Sequence, residues 1–197
     1  QVKEDYRLSL KKIRLDKSTA RLIIKIGLPT GLQNMVISLS NVLVQSGING
    51  FGATAMAGYS AYIKVDGFNI LPVLSFSMAV TTFVGQNYGA GQIKRCKRTL
   101  WLTLIEDTIA SGAAIGIVLL LGRFLLAIFN SDPQVIEIGY TRLTIVFAAY
   151  TFSMLYEIMS GYLRGFGVSL VPAVLTMVGV CGIRIAWIEL VFPKNHN

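Results

Sequence analysis

From Ile26 to Ile63 the chain carries no Asp, Glu, Lys, Arg or His, and a second such stretch separates Asp107 from Arg123. No other feature constrains the fold as strongly. Hydrocarbon ~30 Å thick is crossed by roughly 20 apolar residues in a helix, so the first stretch is long enough to span and turn back. The whole chain is 53% hydrophobic and 14% charged, against about 25% charged in a soluble domain. These properties predict an all-α integral membrane protein with five spanning helices.

Turn residues divide the apolar sequence. Residues 1–22 form a basic, amphipathic lead-in, with Tyr6, Leu10, Ile13 and Lys17 on one stripe beside Lys11, Lys12 and Arg14, a pattern suited to the headgroup region. Residues 23–192 then form the membrane bundle, with spans predicted over about 23–49, 53–87, 93–129, 134–163 and 169–192, and 193–197 as a tail. Gly50-Phe51-Gly52 and the 88–92 loop separate the first three. Asp132 as N-cap and Pro133 at the first helical position open the fourth. Pro72 lies inside the second span and leaves the carbonyl of Phe68 without its helical partner.

Charge orients these spans. Eight of the 18 basic residues lie in the first 25 positions, and Lys94, Arg95, Lys97 and Arg98 form a second cluster. Both border apolar segments, so they read as membrane-surface charge and not as a nucleic-acid footprint. The predicted topology is multi-pass in a plasma membrane, of the bacterial cytoplasmic type, with the N-terminus and the second and fourth loops cytoplasmic. Cys96, Cys181 and His196 lack metal-ligand spacing. No HExxH, GxSxG or phosphate loop occurs, and the glycines of residues 85–91 end a membrane helix. The chain is therefore read as neither an enzyme nor a cofactor-binding protein.

Polar residues within the spans give the bundle an inside. Asn34, Ser38, Asn41, Gln45 and Asn49 share one face of the first span. Such a face either lines a cavity or bonds a neighbouring helix. Tyr59, Tyr62, Asp66 and Asn69 repeat the pattern in the second. A carboxylate within a membrane span, as Asp66 is, marks an ion, proton or substrate path, or a structural salt bridge to another helix. Lys64 is two residues away, about 200° around the helix, and is poorly placed to neutralise it from within that helix. The fourth span carries Tyr150, Ser153, Glu157, Ser160 and Arg164 at 3, 4, 3, 4 spacing. Glu157 has Arg164, Arg184 or Lys64 as candidate partners, and Lys64 and Arg184 are the expected charge partners of the intramembrane acids. Of Glu106 and Asp107, at most one shares the Thr99/Thr103 face.

Several landmarks carry a resemblance. Gly27-Leu28-Pro29-Thr30-Gly31-Leu32-Gln33 opens the first span and Ala55-Met56-Ala57-Gly58 the second. Gly85-Gln86-Asn87-Tyr88-Gly89-Ala90-Gly91, Ser131-Asp132-Pro133 and Leu163-Arg164-Gly165-Phe166-Gly167 follow in order. Over about residues 5–190 the chain resembles the C-terminal half of the multidrug and toxic compound extrusion (MATE) transporters. That resemblance implies two six-helix lobes working by alternating access, with this chain supplying the seventh to eleventh helices after the connector between lobes. The start at Gln1 and the odd number of spans then suggest truncation, with the N-terminal lobe and twelfth helix missing. In family members acidic residues of the seventh and tenth helices couple to cations. The corresponding positions here are Ile37 and about Ser153, so Asp66 and Glu157 would supply the charge from shifted positions, or coupling would rest in the other lobe.

The expected function is an antiporter in contact with membrane lipid that exports cationic or amphiphilic compounds, coupled to Na⁺ or H⁺. Asp66 and Glu157 would couple the ion. Asn34, Ser38, Asn41, Gln45, Asn69 and Ser153 would line the cleft, and Tyr59, Tyr62 and Tyr150 would offer rings to cationic substrates. A flippase for lipid-linked oligosaccharides and a non-transporting membrane fragment are the alternatives.

Overall fold

The computed structural model describes residues 16–184 and 186. Five helical segments follow in order: α1 (Lys17–Asn49), α2 (Ala53–Gly89), α3 (Ile93–Ala127), α4 (Pro133–Gly165) and α5 (Leu170–Leu175), which continues as a π-helical stretch over Thr176–Gly182. Among the described residues, four helices are long and apolar enough to cross a membrane, α1 to α4, and Leu170–Gly182 is a shorter apolar helix. The remainder of the fifth predicted span, the lead-in before Asp16 and the tail lie outside the described residues.

The first helix begins at Lys17 and not at Ile23. The correction has a local cause. The Asp16 carboxylate accepts hydrogen bonds from the Thr19 backbone N–H at 2.9 Å and from the hydroxyls of Ser18 and Thr19, satisfying donors that a helix start otherwise leaves open. These bonds hold its carboxyl well below the usual carboxylate range. At α4 the Asp132 cap accepts from Gln134 N–H at 2.9 Å, with Pro133 in the first turn, as predicted. Gly52 (φ 92°) and Gly167 (φ 78°) adopt the left-handed backbone that reverses the chain after α1 and α4. α2 runs through Pro72 as one helix.

The core lies between α2, α3 and α4. Gly139 backs onto the Gly58 carbonyl, Gly161 onto that of Ser77, and Gly165 onto Val84; residue numbers rise together, so α2 and α4 run parallel. Small residues permit this approach, the usual device of helix association in lipid. Gly122 admits the Tyr140 ring between α3 and α4, and Tyr140 donates to the Leu119 carbonyl at 3.3 Å. Val65, Val73, Val118, Leu126, Leu143, Phe147 and Met154 fill the interior. α1 stands apart. Its buried residues are Gln33 and Ser40, and it is tied to the α5 segment by Gln33 Nε2 donating to Thr176 Oγ1 at 2.8 Å and Ser169 Oγ donating to the Lys25 carbonyl at 3.3 Å.

Candidate functional site

The parallel packing of α2 on α4 sorts the polar side chains into three levels. In the first, near the start of both helices, Tyr59 and Tyr62 stack with centroids 6.0 Å apart. The Arg142 guanidinium lies over both rings, 4.5 and 4.9 Å from their centroids. A cavity of about 530 Å³ opens beside them, lined by Ile48, Phe51, Tyr59, Ile138, Arg142 and Val146 among others. Glu137, at its edge, is held by Arg123 at 3.1 Å, both well exposed.

Asp66 and Asn69 form the second level with Tyr150, Asp107 and Ser111. The contacts of Gly139 with Gly58 and Gly161 with Ser77 put Tyr150 level with Asp66 and Asn69. Asn69 is 1% exposed and Asp107 1% exposed. Ser111 Oγ donates to Asp107 Oδ1 at 2.9 Å. Tyr62 is within hydrogen-bonding reach of the Asp66 carboxyl group, while among the described residues Asp66 Oδ1, the Tyr150 hydroxyl and both amide atoms of Asn69 have no hydrogen-bond partner.

Glu157 occupies the third level, about 16 Å further along the helices by the rise between Asp66 and Ser77. It accepts from Ser77 Oγ at 3.0 Å and pairs with Arg164 Nη1 at 3.2 Å, the two charged side chains being 22% and 19% exposed. Thr81 Oγ1 donates to the Gly161 carbonyl at 2.9 Å beneath it. Asp66 and Glu157 therefore do not share a site.

The expected charge partners are corrected. Lys64 is exposed and lies 5.0 Å from the centre of the Phe129 ring. Arg184 donates through Nη1 to Asn41 Oδ1 at 2.8 Å. Of the partners expected for Glu157, Arg164 is the one that pairs with it, and Arg142 lies over the Tyr59 and Tyr62 rings. Arg142 and the buried Asp107–Ser111 pair escape sequence reading because each sits on a helix face whose partner is set by tertiary packing. The four-residue spacing of Thr103, Asp107 and Ser111 is the one signal for the α3 face.

The first-span stripe also sits differently from a cavity within this chain. Asn34, Ser38 and Asn41 are exposed, and Gln45 is partly buried. Ser38 donates to the Asn34 carbonyl at 2.9 Å and Gln45 to Asn49 Oδ1 at 3.1 Å; none of these residues lines the cavity at Arg142. Ser153 is exposed on α4, away from the buried Tyr150 on the same helix. The Tyr59 and Tyr62 faces expected to receive a cationic substrate hold the Arg142 guanidinium.

These helices have close counterparts. The MatE family model matches residues 29–188. A probable multidrug resistance protein, YoeA of Bacillus subtilis, is 25% identical over 93% of this chain and 39% of its own length. A probable multidrug resistance protein NorM of Thermotoga maritima is 28% identical, again over 93% and 39%. An FAD transporter of Shewanella oneidensis is 27% identical over 55% of this chain and 24% of its own. In fold, the chain superposes on a MOP superfamily transporter from Pyrococcus furiosus with a TM-score of 0.80 and 14% identity, over 93% of this chain and 42% of that one. The chain thus spans about two fifths of the length of these multidrug resistance relatives, which are transporters and not enzymes. The match over most of its length, with the fold to go with it, places this chain in the MatE family of membrane transporters.

Proposed function

We propose that this chain forms the C-terminal lobe of an ion-coupled exporter of cationic or amphiphilic compounds, with Na⁺ or H⁺ as the coupling ion. One observation carries the reading: Asp66, inside a membrane helix, keeps a carboxylate oxygen without a hydrogen-bond partner among the described residues. A half-buried carboxylate inside a membrane helix changes its surroundings when a proton or cation arrives, because its charge is then neutralised. The exposed amides of α1 support a second lobe. Asn34 and Asn41 are exposed among the described residues, Asn41 with a hydrogen bond from Arg184, and an opposing six-helix lobe with a twelfth helix would close a cleft over them, as alternating access requires. The protein would sit multi-pass in a bacterial cytoplasmic membrane with the start of α1 on the cytoplasmic side.

The test is export by the full transporter after Asp66→Asn. Loss of ion dependence with the protein still inserted supports the reading; unchanged export and unchanged ion dependence remove Asp66 from the mechanism. The guanidinium of Arg142 favours a second reading on the same fold, a substrate with an anionic group. It lines the apolar cavity and makes no ion pair among the described residues. The similarity to the FAD transporter points the same way. Export measured with paired anionic and cationic dyes separates the two.

A further inference from the structure

At the first polar level the charge of Arg142 is not balanced by an ion pair among the described residues. Its guanidinium lies across the Tyr59 and Tyr62 rings, 4.5 and 4.9 Å from their centroids, and its buried Nε has no hydrogen-bond partner among the described residues. Buried donors are ordinarily satisfied. α4 is ~50 Å long by its rise, against ~30 Å of hydrocarbon. With equal overhang Arg142, nine residues after Pro133, falls a few ångströms inside the apolar zone, where an unpaired charge is costly. Two carboxylates on the packed helices leave it so: Glu137 is committed to Arg123 at 3.1 Å, and Asp66, one turn beyond Tyr62 on α2, forms no ion pair among the described residues. The cavity of about 530 Å³ beside the guanidinium is mostly apolar, walled by Ile48 from the end of α1, Ala55 from α2, and Ile138, Ile145 and Val146 from α4.

We propose that this cavity binds a drug-sized amphiphilic acid, with its carboxylate, sulfonate or phosphate on the Arg142 guanidinium and its apolar body against Ile48, Ala55 and Ile138. The head group follows from the donor, because a guanidinium presents its N–H groups as a planar fork that matches an oxyanion. The body follows from the space. Pockets of ~300–1,000 Å³ suit one drug-sized molecule, and 530 Å³ is room for that and not for a two-chain lipid. Cations are turned away by the same side chain. Tyrosine faces attract a cation, but those of Tyr59 and Tyr62 already carry Arg142, whose charge repels a second. Arg142 is thus the residue that sets the sign of the ligand at this level. The pocket deepens the anionic-substrate reading and rests on it for transport, not for binding.

The full transporter, purified into phosphatidylcholine nanodiscs, is titrated calorimetrically with naphthalenesulfonate and with naphthyltrimethylammonium, probes of similar size and opposite charge. Naphthalenesulfonate should bind the wild type. Arg142→Met removes the charge and should weaken that binding about tenfold or more, while the freed Tyr59 and Tyr62 rings raise affinity for the ammonium probe. Arg142→Lys keeps the charge without the planar fork and should weaken the anion without admitting the cation. Ala55→Phe fills the cavity and should weaken the anion with Arg142 intact. Lys64→Met, which removes a cation from the exposed face of α2, should change neither affinity. No naphthalenesulfonate binding by the wild type, or wild-type-like affinity in both Arg142→Lys and Ala55→Phe, overturns the pocket; unchanged ammonium affinity in a folded Arg142→Met overturns the selectivity assigned to Arg142. Phosphatidylglycerol retained by the wild type through purification and lost in Arg142→Lys, read by mass spectrometry, assigns the cavity to a lipid and overturns the drug-sized ligand. Binding through Arg142 without export of the anion overturns the anionic-substrate reading and leaves the pocket standing. Anion export unchanged in Arg142→Lys and Ala55→Phe overturns the pocket and leaves that reading.

Discussion

Gly161 lies where α4 presses closest on α2. A methyl group there would meet the Ser77 carbonyl oxygen at 2.6 Å, Ser77 Oγ at 2.7 Å and Val80 Cγ1 at 2.9 Å. One of those atoms is main chain, so no rotamer change clears the overlap and the helices must separate. Overpacking of this kind costs ~1–3 kcal/mol. Separation also stretches the 3.0 Å bond from Ser77 to Glu157, worth ~1 kcal/mol, while alanine returns about 1 kcal/mol in helix propensity. Gly161→Ala should therefore destabilise by about 1–3 kcal/mol. Gly116 on α3 supplies the control: its added methyl meets nothing within 4 Å, so Gly116→Ala carries the propensity gain alone. Gly165→Ala, which meets Val84 Cβ at 2.7 Å, should behave like Gly161→Ala. The double variant should cost less than the sum, because one helix shift relieves both contacts. Thermal unfolding of the full transporter in detergent ranks the variants. A Gly161→Ala protein melting at or above Gly116→Ala would refute the view that the α2–α4 contact is held at glycine distance.

Two further outcomes follow from the ends of these helices. Arg164→Gln leaves Glu157 with Ser77 alone; removing one member of a fully buried pair costs ~3–5 kcal/mol, and since both side chains here are about a fifth exposed the loss should be nearer ~2 kcal/mol. Thermal melting of Arg164→Gln, and recovery in Arg164→Gln/Glu157→Gln, checks this; a single variant as stable as wild type denies the pair a structural role. Asp16→Ala should fray the start of α1, seen as faster amide exchange at Lys17–Thr19. The folded carboxyl lies below its unfolded value of ~3.9, so the cap contributes fully above about pH 4 and is lost as pH falls through the folded value. The exchange difference between wild type and Asp16→Ala should then shrink in acid, and a pH-independent difference would argue against an ionised cap.

What the sequence reveals of the fold depends on how local the signal is. Asp132-Pro133 announces α4 because a cap and a fixed φ act within one turn, and Gly50–Gly52 ends α1 for the same reason. The onset of α1 is misplaced because hydropathy discounts Lys17, Ser18 and Arg21, although Asp16, Ser18 and Thr19 carry a capping signal that apolar periodicity does not register. The π-helical stretch at Thr176–Gly182 has no local signature. Thr176 there meets Gln33 from α1, the Tyr156 hydroxyl from α4 and the Pro172 carbonyl, and two of those three partners come from elsewhere in the chain.

The polar faces separate on the same principle. Spacing alone groups Tyr59, Tyr62, Asp66 and Asn69, since residues three and four apart lie on one side of a helix whatever surrounds it. It cannot name Arg142 as their neighbour, because that pairing arises only when the small residues Gly58, Gly139 and Gly161 bring α4 alongside α2 in parallel. Nor can spacing tell an inward face from an outward one: in lipid a polar stripe must be covered, but by this chain or by another. α1 illustrates the difference, burying Gln33 and Ser40 against its own chain while Asn34, Ser38 and Asn41 stay exposed. A polar face left open on α1 needs a second surface to cover it.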